Sequence, residues 1–157
     1  MKYVAVFCLI LITACGFTPV YGTKTVSNDL SNIDIVIIPD EDGQIVRNHL
    51  IDVMYNDGYP SNPQLRLVVS PVQESILEIG IDRDDEASRA QLRQETTMRL
   101  VNPDDKVLLQ RTVRATSGYN ILAGQFTTFV TEEDARKQAL KALSNNIITQ
   151  LELYFNR

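Results

Sequence analysis

The sequence predicts an α+β two-layer sandwich, with two helices packed on a mainly antiparallel four-stranded sheet in the order β-α-β-β-β-α. Three observations carry this. Residues 88–101 alternate apolar and polar side chains with a period of two. Two other stretches, around 45–54 and 135–154, repeat apolar residues three and four apart, as amphipathic helices do. Pro, Gly, Asn and Asp clusters punctuate the chain between them.

Ile33-Asp34-Ile35-Val36-Ile37-Ile38 is β-branched, ends at Pro39 and reads as the first strand. Asp40-Glu41-Asp42-Gly43 then opens a helix, where acidic residues suit the N-cap and the positive helix end. Ile45, Val46, His49, Leu50, Val53 and Met54 supply its apolar stripe, and Gly58 is the expected left-handed terminator before Pro60. Residues 64–82 read as one strand stretch, interrupted at Pro71 as at an edge or bulge. On 88–101, Ala90, Leu92, Gln94, Thr96, Met98 and Leu100 share one face, and Arg89, Gln91, Arg93, Glu95, Thr97 and Arg99 share the other. One face is therefore expected to be buried and the other solvated or turned to a partner. Asn102-Pro103-Asp104-Asp105 is a turn, and 106–117 completes a meander. Residues 117–129 read as loop. Thr131-Glu132-Glu133-Asp134 resembles a capping box that opens a last helix of about 25 residues.

The start of the chain belongs to a different chemistry. Met1-Lys2 precedes an apolar run over 3–12. A positive start before a short apolar core reads as a secretory signal over 1–14. The run is shorter than the ~20 residues a helix needs to cross a bilayer. Its exit, Ile12-Thr13-Ala14-Cys15, resembles the lipobox of bacterial lipoproteins. That resemblance implies a thioether diacylglycerol on Cys15, cleavage before it and acylation of the new amine. Several acyl chains anchor stably where one binds only marginally. Gly16, in place of Asp, implies sorting to the outer membrane rather than retention at the inner one. Residues 15–32, rich in Gly, Thr, Ser and Asn, are expected to be the lipidated Cys and its tether, and 33–157 the folded domain.

The 157 residues are 44% hydrophobic and 22% charged, an ordinary globular balance. Fifteen basic and twenty acidic residues give a net charge of −5, which becomes −6 once Lys2 leaves with the signal. A sequence pI of about 4.8 argues against a nucleic-acid partner, since a phosphate backbone calls for clustered Lys and Arg. Cys8 leaves too, so Cys15 has no partner for an internal disulfide. No nucleophile elbow, Walker loop, Cys-x-x-Cys or zinc-protease motif is present. His49, the single histidine, reads as a boundary residue of the first helix. Asp82, Asp84, Asp85 and Glu86 lack the spacing of a calcium loop and read as a solvated hairpin tip. Catalytic residues, metal ligands and cofactors are therefore not expected.

What remains is a basic exception in an acidic chain. Arg89, Arg93 and Arg99 lie on one strand face, with Arg83 just before it, and Arg111 and Arg114 fall on opposite faces of the next strand. Arg grips phosphate or carboxylate in a bidentate fork, so these residues are candidates for an anionic ligand. The plainer reading pairs them with Glu95 and neighbouring acids on a wet sheet face.

Several segments carry a resemblance to a known family. They are Ala14-Cys15-Gly16-Phe17-Thr18-Pro19-Val20-Tyr21-Gly22, Asp42-Gly43-Gln44-Ile45-Val46-Arg47-Asn48-His49-Leu50 and Gly58-Tyr59-Pro60. With them go Arg114-Ala115-Thr116-Ser117-Gly118-Tyr119-Asn120-Ile121-Leu122, Phe126 and Glu133-Asp134-Ala135-Arg136. In order and spacing the chain resembles LptE, the lipopolysaccharide-assembly lipoproteins of the Gram-negative outer membrane. The resemblance implies a small α/β sandwich that sits as a plug inside an LptD-type outer-membrane β-barrel. It also implies that the chain aids that barrel's assembly, binds lipopolysaccharide and performs no catalysis. Arg83, Arg89, Arg93 and Arg99 are then lipopolysaccharide-binding candidates by their chemistry. The net negative charge favours the partner role over strong autonomous binding. The alternative is another outer-membrane accessory lipoprotein, a pilotin or an activator of a cell-wall enzyme.

Overall fold

The structure, a computed structural model, describes residues 29–55, 58–81, 87–121 and 125–156. In chain order these form β1 (Ile33–Ile35), α1 (Asp40–Met54), β2 (Leu65–Val69), β3 (Gln73–Ile81), β4 (Ala87–Val101), β5 (Val107–Asn120) and α2 (Gln125–Phe155). The signal sequence, Cys15, most of the tether, Arg83 and the acidic hairpin tip lie outside the described residues.

The fold is the expected α+β sandwich, with five strands in place of four. The extra strand comes from the 64–82 stretch. Both of its halves pair with the same edge of β4, β2 with Arg66–Val69 opposite Met98–Val101 and β3 with Gln73–Ile81 opposite Ala87–Glu95. Between Val69↔Met98 and Gln73↔Glu95 the β2–β3 side advances one residue more than β4, which is a bulge. Pro71, with no N–H to donate, sits inside it. The bulge is hydrogen-bonded: the Ser70 N–H donates to Thr97 O at 3.0 Å, and the buried Thr96 hydroxyl donates to Ser70 O at 2.7 Å. β5 pairs the full length of β4 on its other edge, and β1 runs parallel to β2 beyond it.

The pleat of β4 divides the molecule into two faces. Ala90, Leu92, Gln94, Thr96, Met98 and Leu100 are all buried under the helices. They meet Leu67 and Val69 of β2, Leu109, Val113 and Ala115 of β5, and the Val46-Leu50-Met54 stripe of α1. From α2 come Ala139, Leu140, Leu143, Ile147 and Leu151. Fully burying each large aliphatic side chain contributes about 1.5–3 kcal/mol before ordering costs. Leu30, just ahead of β1, is buried in the same core.

Three boundaries differ from expectation. β1 ends at Ile35, so Val36, Ile37 and Ile38 of the expected strand belong to the connection to α1. β5 continues to Asn120 and α2 starts at Gln125, so the 117–129 loop shrinks to a few residues and the helix has 31 residues rather than about 25. Thr131 does not cap the helix. Its hydroxyl donates instead to Thr128 O, one turn back, as a residue inside a helix does. At the start of α1, the N-cap is Pro39 with no side-chain cap, and the Asp40–Asp42 carboxylates serve the helix dipole. Gly58 does adopt a positive φ of 103°, but beyond the end of α1, where its N–H donates to Tyr55 O.

Gly43 lets the first turn of α1 lie against Ile38 in the connection from β1. A Cβ added there would meet Ile38 Cγ2 at 2.7 Å and the Ile38 carbonyl carbon at 3.1 Å. Gln44 Nε2, beside it, donates to Ile38 O at 2.6 Å. Gly43→Ala is therefore expected to destabilise the fold by about 1–3 kcal/mol through overpacking. Gly118→Ala, whose Cβ would meet only Ala90 O at 3.7 Å, is expected to change stability little. Urea unfolding of the two variants side by side checks this.

Candidate functional site

The helices cover one face of the sheet and leave the other bare. On the bare face β4 presents Arg89, Gln91, Arg93, Glu95, Thr97 and Arg99. Beside them lie Ser75, Leu77 and Ile79 of β3, and Gln110, Thr112, Arg114, Thr116, Gly118 and Asn120 of β5. Across β3, β4 and β5, four arginines on this face meet a single carboxylate, Glu95.

Glu95 is taken up by its neighbours. Arg114, directly opposite on β5, donates Nε to Glu95 Oε2 and Nη2 to Oε1, the latter at 3.4 Å. Arg93 Nη2 reaches Glu95 Oε2 only at 4.0 Å. The Arg114 contact holds the Glu95 carboxyl below its ordinary range, against a smaller opposing effect of desolvation. Arg89 and Arg99 make no ion pair with a described residue. The plainer reading of the sequence, that acids on the face neutralise the arginines, therefore holds for Arg114 and in part for Arg93.

The three described candidates form a row rather than a cluster. At ~3.3–3.4 Å per residue, Arg89 and Arg93 stand roughly 13 Å apart along β4, and Arg99 a further 20 Å or so. Such a row meets charges distributed along an extended surface. At the Arg89 end a hollow of about 290 Å³ opens between Ile79, Arg89, Gln91, Gly118 and Asn120. Gly118, opposite Gln91, lines it without a side chain. The sequence signal for it is a glycine inside a strand. Ala90 and Tyr119 complete the lining, so the hollow sets the Arg89 cation beside both polar and apolar groups.

Two polar groupings on the helix side have structural roles. His49 hydrogen-bonds Asn145 Oδ1 at 3.0 Å and ties α1 to α2, so it is the boundary residue the sequence suggested. Arg136, a residue whose role sequence reasoning did not resolve, binds the N-terminal half of α2 to the sheet. Its Nε and Nη2 grip both oxygens of Glu74 on β3 at 2.9 Å, and the guanidinium also reaches Glu132 at 3.0 Å and Glu133 at 2.8 Å. The fully buried Gln94 adds a 2.9 Å bond from Nε2 to Glu74, while its Oε1 has no partner among the described residues. The Arg136 hydrogen bonds, above the opposing desolvation, hold Glu74 below its ordinary 4.5, and the carboxylates in turn raise Arg136. Asp42, nearby on α1, is pushed above 3.8 by burial first and by Glu74 second. Among the described residues there is no group of His, Cys, Asp and Glu that could hold a metal ion, and no helix long and apolar enough to cross a membrane.

The Arg136–Glu74 pair makes stability depend on pH. Glu74 is depressed in the fold, so its contribution is complete above about 4.5 and is lost as pH falls through its lower folded value. The raised Asp42 acts in the opposite sense, favouring the fold as it protonates. Arg136→Met is expected to cost about 1.5–3 kcal/mol at pH 7, since it strands partly buried carboxylates. It should also flatten the acid loss of stability between pH 5 and 3. Urea midpoints of both proteins across that range measure it.

Comparison with known proteins follows the same lines. The family model for LptE, described as lipopolysaccharide-assembly, matches residues 30–151, most of the chain. Among solved structures, a lipoprotein from Caulobacter crescentus CB15 superposes with a TM-score of 0.65 at 20% identity, covering 86% of this chain and 98% of its own. Rare lipoprotein B from Shewanella oneidensis gives 0.62 at 10% identity, covering 80% and 98%. A minor lipoprotein from Acinetobacter baumannii gives 0.60 at 16%, covering 78% and 92%. At these identities the likeness is one of fold. No curated protein sequence matches this one.

Proposed function

Because this chain belongs to the LptE family of lipopolysaccharide-assembly proteins, we propose that it is the plug subunit of an outer-membrane lipopolysaccharide translocon. In this reading Cys15 carries the lipid that anchors it to the periplasmic side of the outer membrane after the 1–14 signal is removed. Residues 15–32 tether the 33–157 domain to that anchor, and the domain packs within an LptD-type β-barrel, whose assembly it assists. The role is steric and electrostatic, with no catalytic step.

The observation that carries the ligand half of this reading is the bare sheet face with four arginines to one carboxylate. Lipopolysaccharide presents phosphates on a broad, multiply acylated head. A row of guanidinium groups on a rigid strand suits such a ligand better than a deep pocket does. Arg89, beside the Gly118 hollow, and Arg99 make no ion pair with a described residue, which leaves both guanidinium groups unengaged by the described part of the fold. Arg93 and the undescribed Arg83 extend the same candidate set. The net charge of −6 once the signal is removed opposes tight binding of a polyanion by the chain on its own, which favours a ligand handed along within a larger assembly.

Two experiments test the reading. Reversal of Arg89, Arg93 and Arg99 to Glu should weaken binding of purified lipopolysaccharide at least tenfold while shifting the melting temperature by only a few degrees, because that face is outside the core. Equal loss of fold and binding would show that the row is structural. The lipidated protein isolated from outer membranes should bring down a β-barrel protein far larger than itself. Recovery without a barrel, together with normal surface lipopolysaccharide after depletion, would move the assignment to a pilotin or cell-wall activator.

A further inference from the structure

Of the sheet's three outer margins, side chains close the one on β1 and cover the one on β5 only in part. On β1 the Tyr55 hydroxyl accepts from the Ile35 N–H at 3.1 Å and donates to Ile33 O at 2.7 Å, while Arg47 donates to Ile35 O at 3.3 Å. On β5 the outward carbonyls of Gln110, Arg114 and Asn120 accept from Arg111, Asn146 and Thr131. β3 is different. The register and the Ser70–Thr97 bond turn the backbone of the odd-numbered β3 residues toward β4. The N–H and C=O groups of Glu74, Ile76, Glu78 and Gly80 therefore face outward. None of them finds a partner among the described residues. Proteins usually blunt such an edge with Pro, Lys, a bulge or a covering element. Gln73–Ile81 contains no Pro or Lys and pairs without a register shift. It exposes apolar side chains on both faces: Ile76 is 44% exposed, Leu77 59% and Ile79 44%.

We infer that the outer edge of β3 receives an extended segment of a second polypeptide as an added strand. Main-chain bonds to residues 74–80 hold the segment, and alternate side chains select it. The edge defines the chemistry. On the bare face, Leu77 and Ile79 call for apolar residues two apart. On the helix face, Glu74 is already held by Arg136, whereas Glu78 makes no ion pair with a described residue, so a Lys or Arg belongs across from it. A second copy of this chain fits poorly: it brings another Glu78 onto the same ladder and another net charge of −5 to the contact. A wall strand of a closed barrel has no free edge to offer, so the segment is a loop or tail. The inference rests on the sheet edge and not on the identity of the partner proposed above.

The test places a photoreactive residue at Ser75, Leu77 and Ile79 in turn, in the full-length protein in its own outer membrane, and maps the adducts by mass spectrometry. Side chains on adjoining strands stand ~4.5–5.5 Å apart, within reach of such a probe. The expected result is adducts to one segment of one polypeptide at residues two apart. Glu78→Pro removes an outward N–H without touching the β3–β4 ladder, and should cut the Ser75 adduct at least tenfold with the thermal melt preserved. Ile76→Lys, which places a charge on the same edge, serves if the proline variant fails to fold. Adducts to a second copy of this chain, to lipid alone, or to positions with no period of two overturn the inference. So does an undiminished adduct in a normally folded edge variant. A periodic adduct to a polypeptide other than a barrel protein upholds this inference and counts against the barrel reading.

Discussion

The pleat of β4 is the constraint on which the remaining structure depends. A strand alternates strictly, so moving its register by one residue would bring Arg89, Arg93 and Arg99 into the core and Leu92, Met98 and Leu100 out of it. No other strand of the sheet has partners along both of its edges over so much of its length. β2 and β3 share one edge of β4 and β5 occupies the other, so its alternation is imposed on three neighbours. The bulge at Ser70–Val72 lets one edge of β4 be shared by two strands that turn Val69 and Glu74 toward the helix side. Thr96, a buried polar residue, is retained because its hydroxyl satisfies the Ser70 carbonyl that the bulge leaves without a ladder partner.

The consequence for function is a division of labour between faces. The helix layer carries the burial, and α2 is joined to the sheet by the Arg136–Glu74 pair and to α1 by His49 and Asn145. With stability placed there, the opposite face is free to hold unmatched charge. Exposed arginines on a strand contribute little to folding and are screened by salt, so their excess is tolerated. The same excess is what an anionic amphiphile can use.

The faces of β4 were legible in the sequence because a period of two is local and needs no knowledge of neighbours. So were the break at Pro71 and the helical stripe of α2. That both halves of 64–82 pair with one edge of β4 was not legible, since it depends on the partner's register. The extent of the 117–129 loop was not legible because Thr131-Glu132-Glu133-Asp134 has a capping-box pattern, while here Glu132 and Glu133 turn to Arg136. Tyr55, Gly43 and Arg136 act on Ile33 and Ile35, Ile38 and Glu74, residues that composition and periodicity do not connect to them. The shared face of Arg89, Arg93 and Arg99 was legible, and their spacing as a row follows once the strand is extended. Along a strand, four to six residues of separation is a distance of roughly 13–20 Å.

In the proposed function the bare sheet face, rather than the helix face, meets lipopolysaccharide. An environment-sensitive fluorophore attached at Gln91→Cys or Thr112→Cys reads the sheet face, and one at Lys141→Cys reads the helix face. Titration with purified lipopolysaccharide should give a saturable spectral shift at the first two positions and none at the third. A shift confined to Lys141→Cys, or one of equal size at all three, would contradict the account.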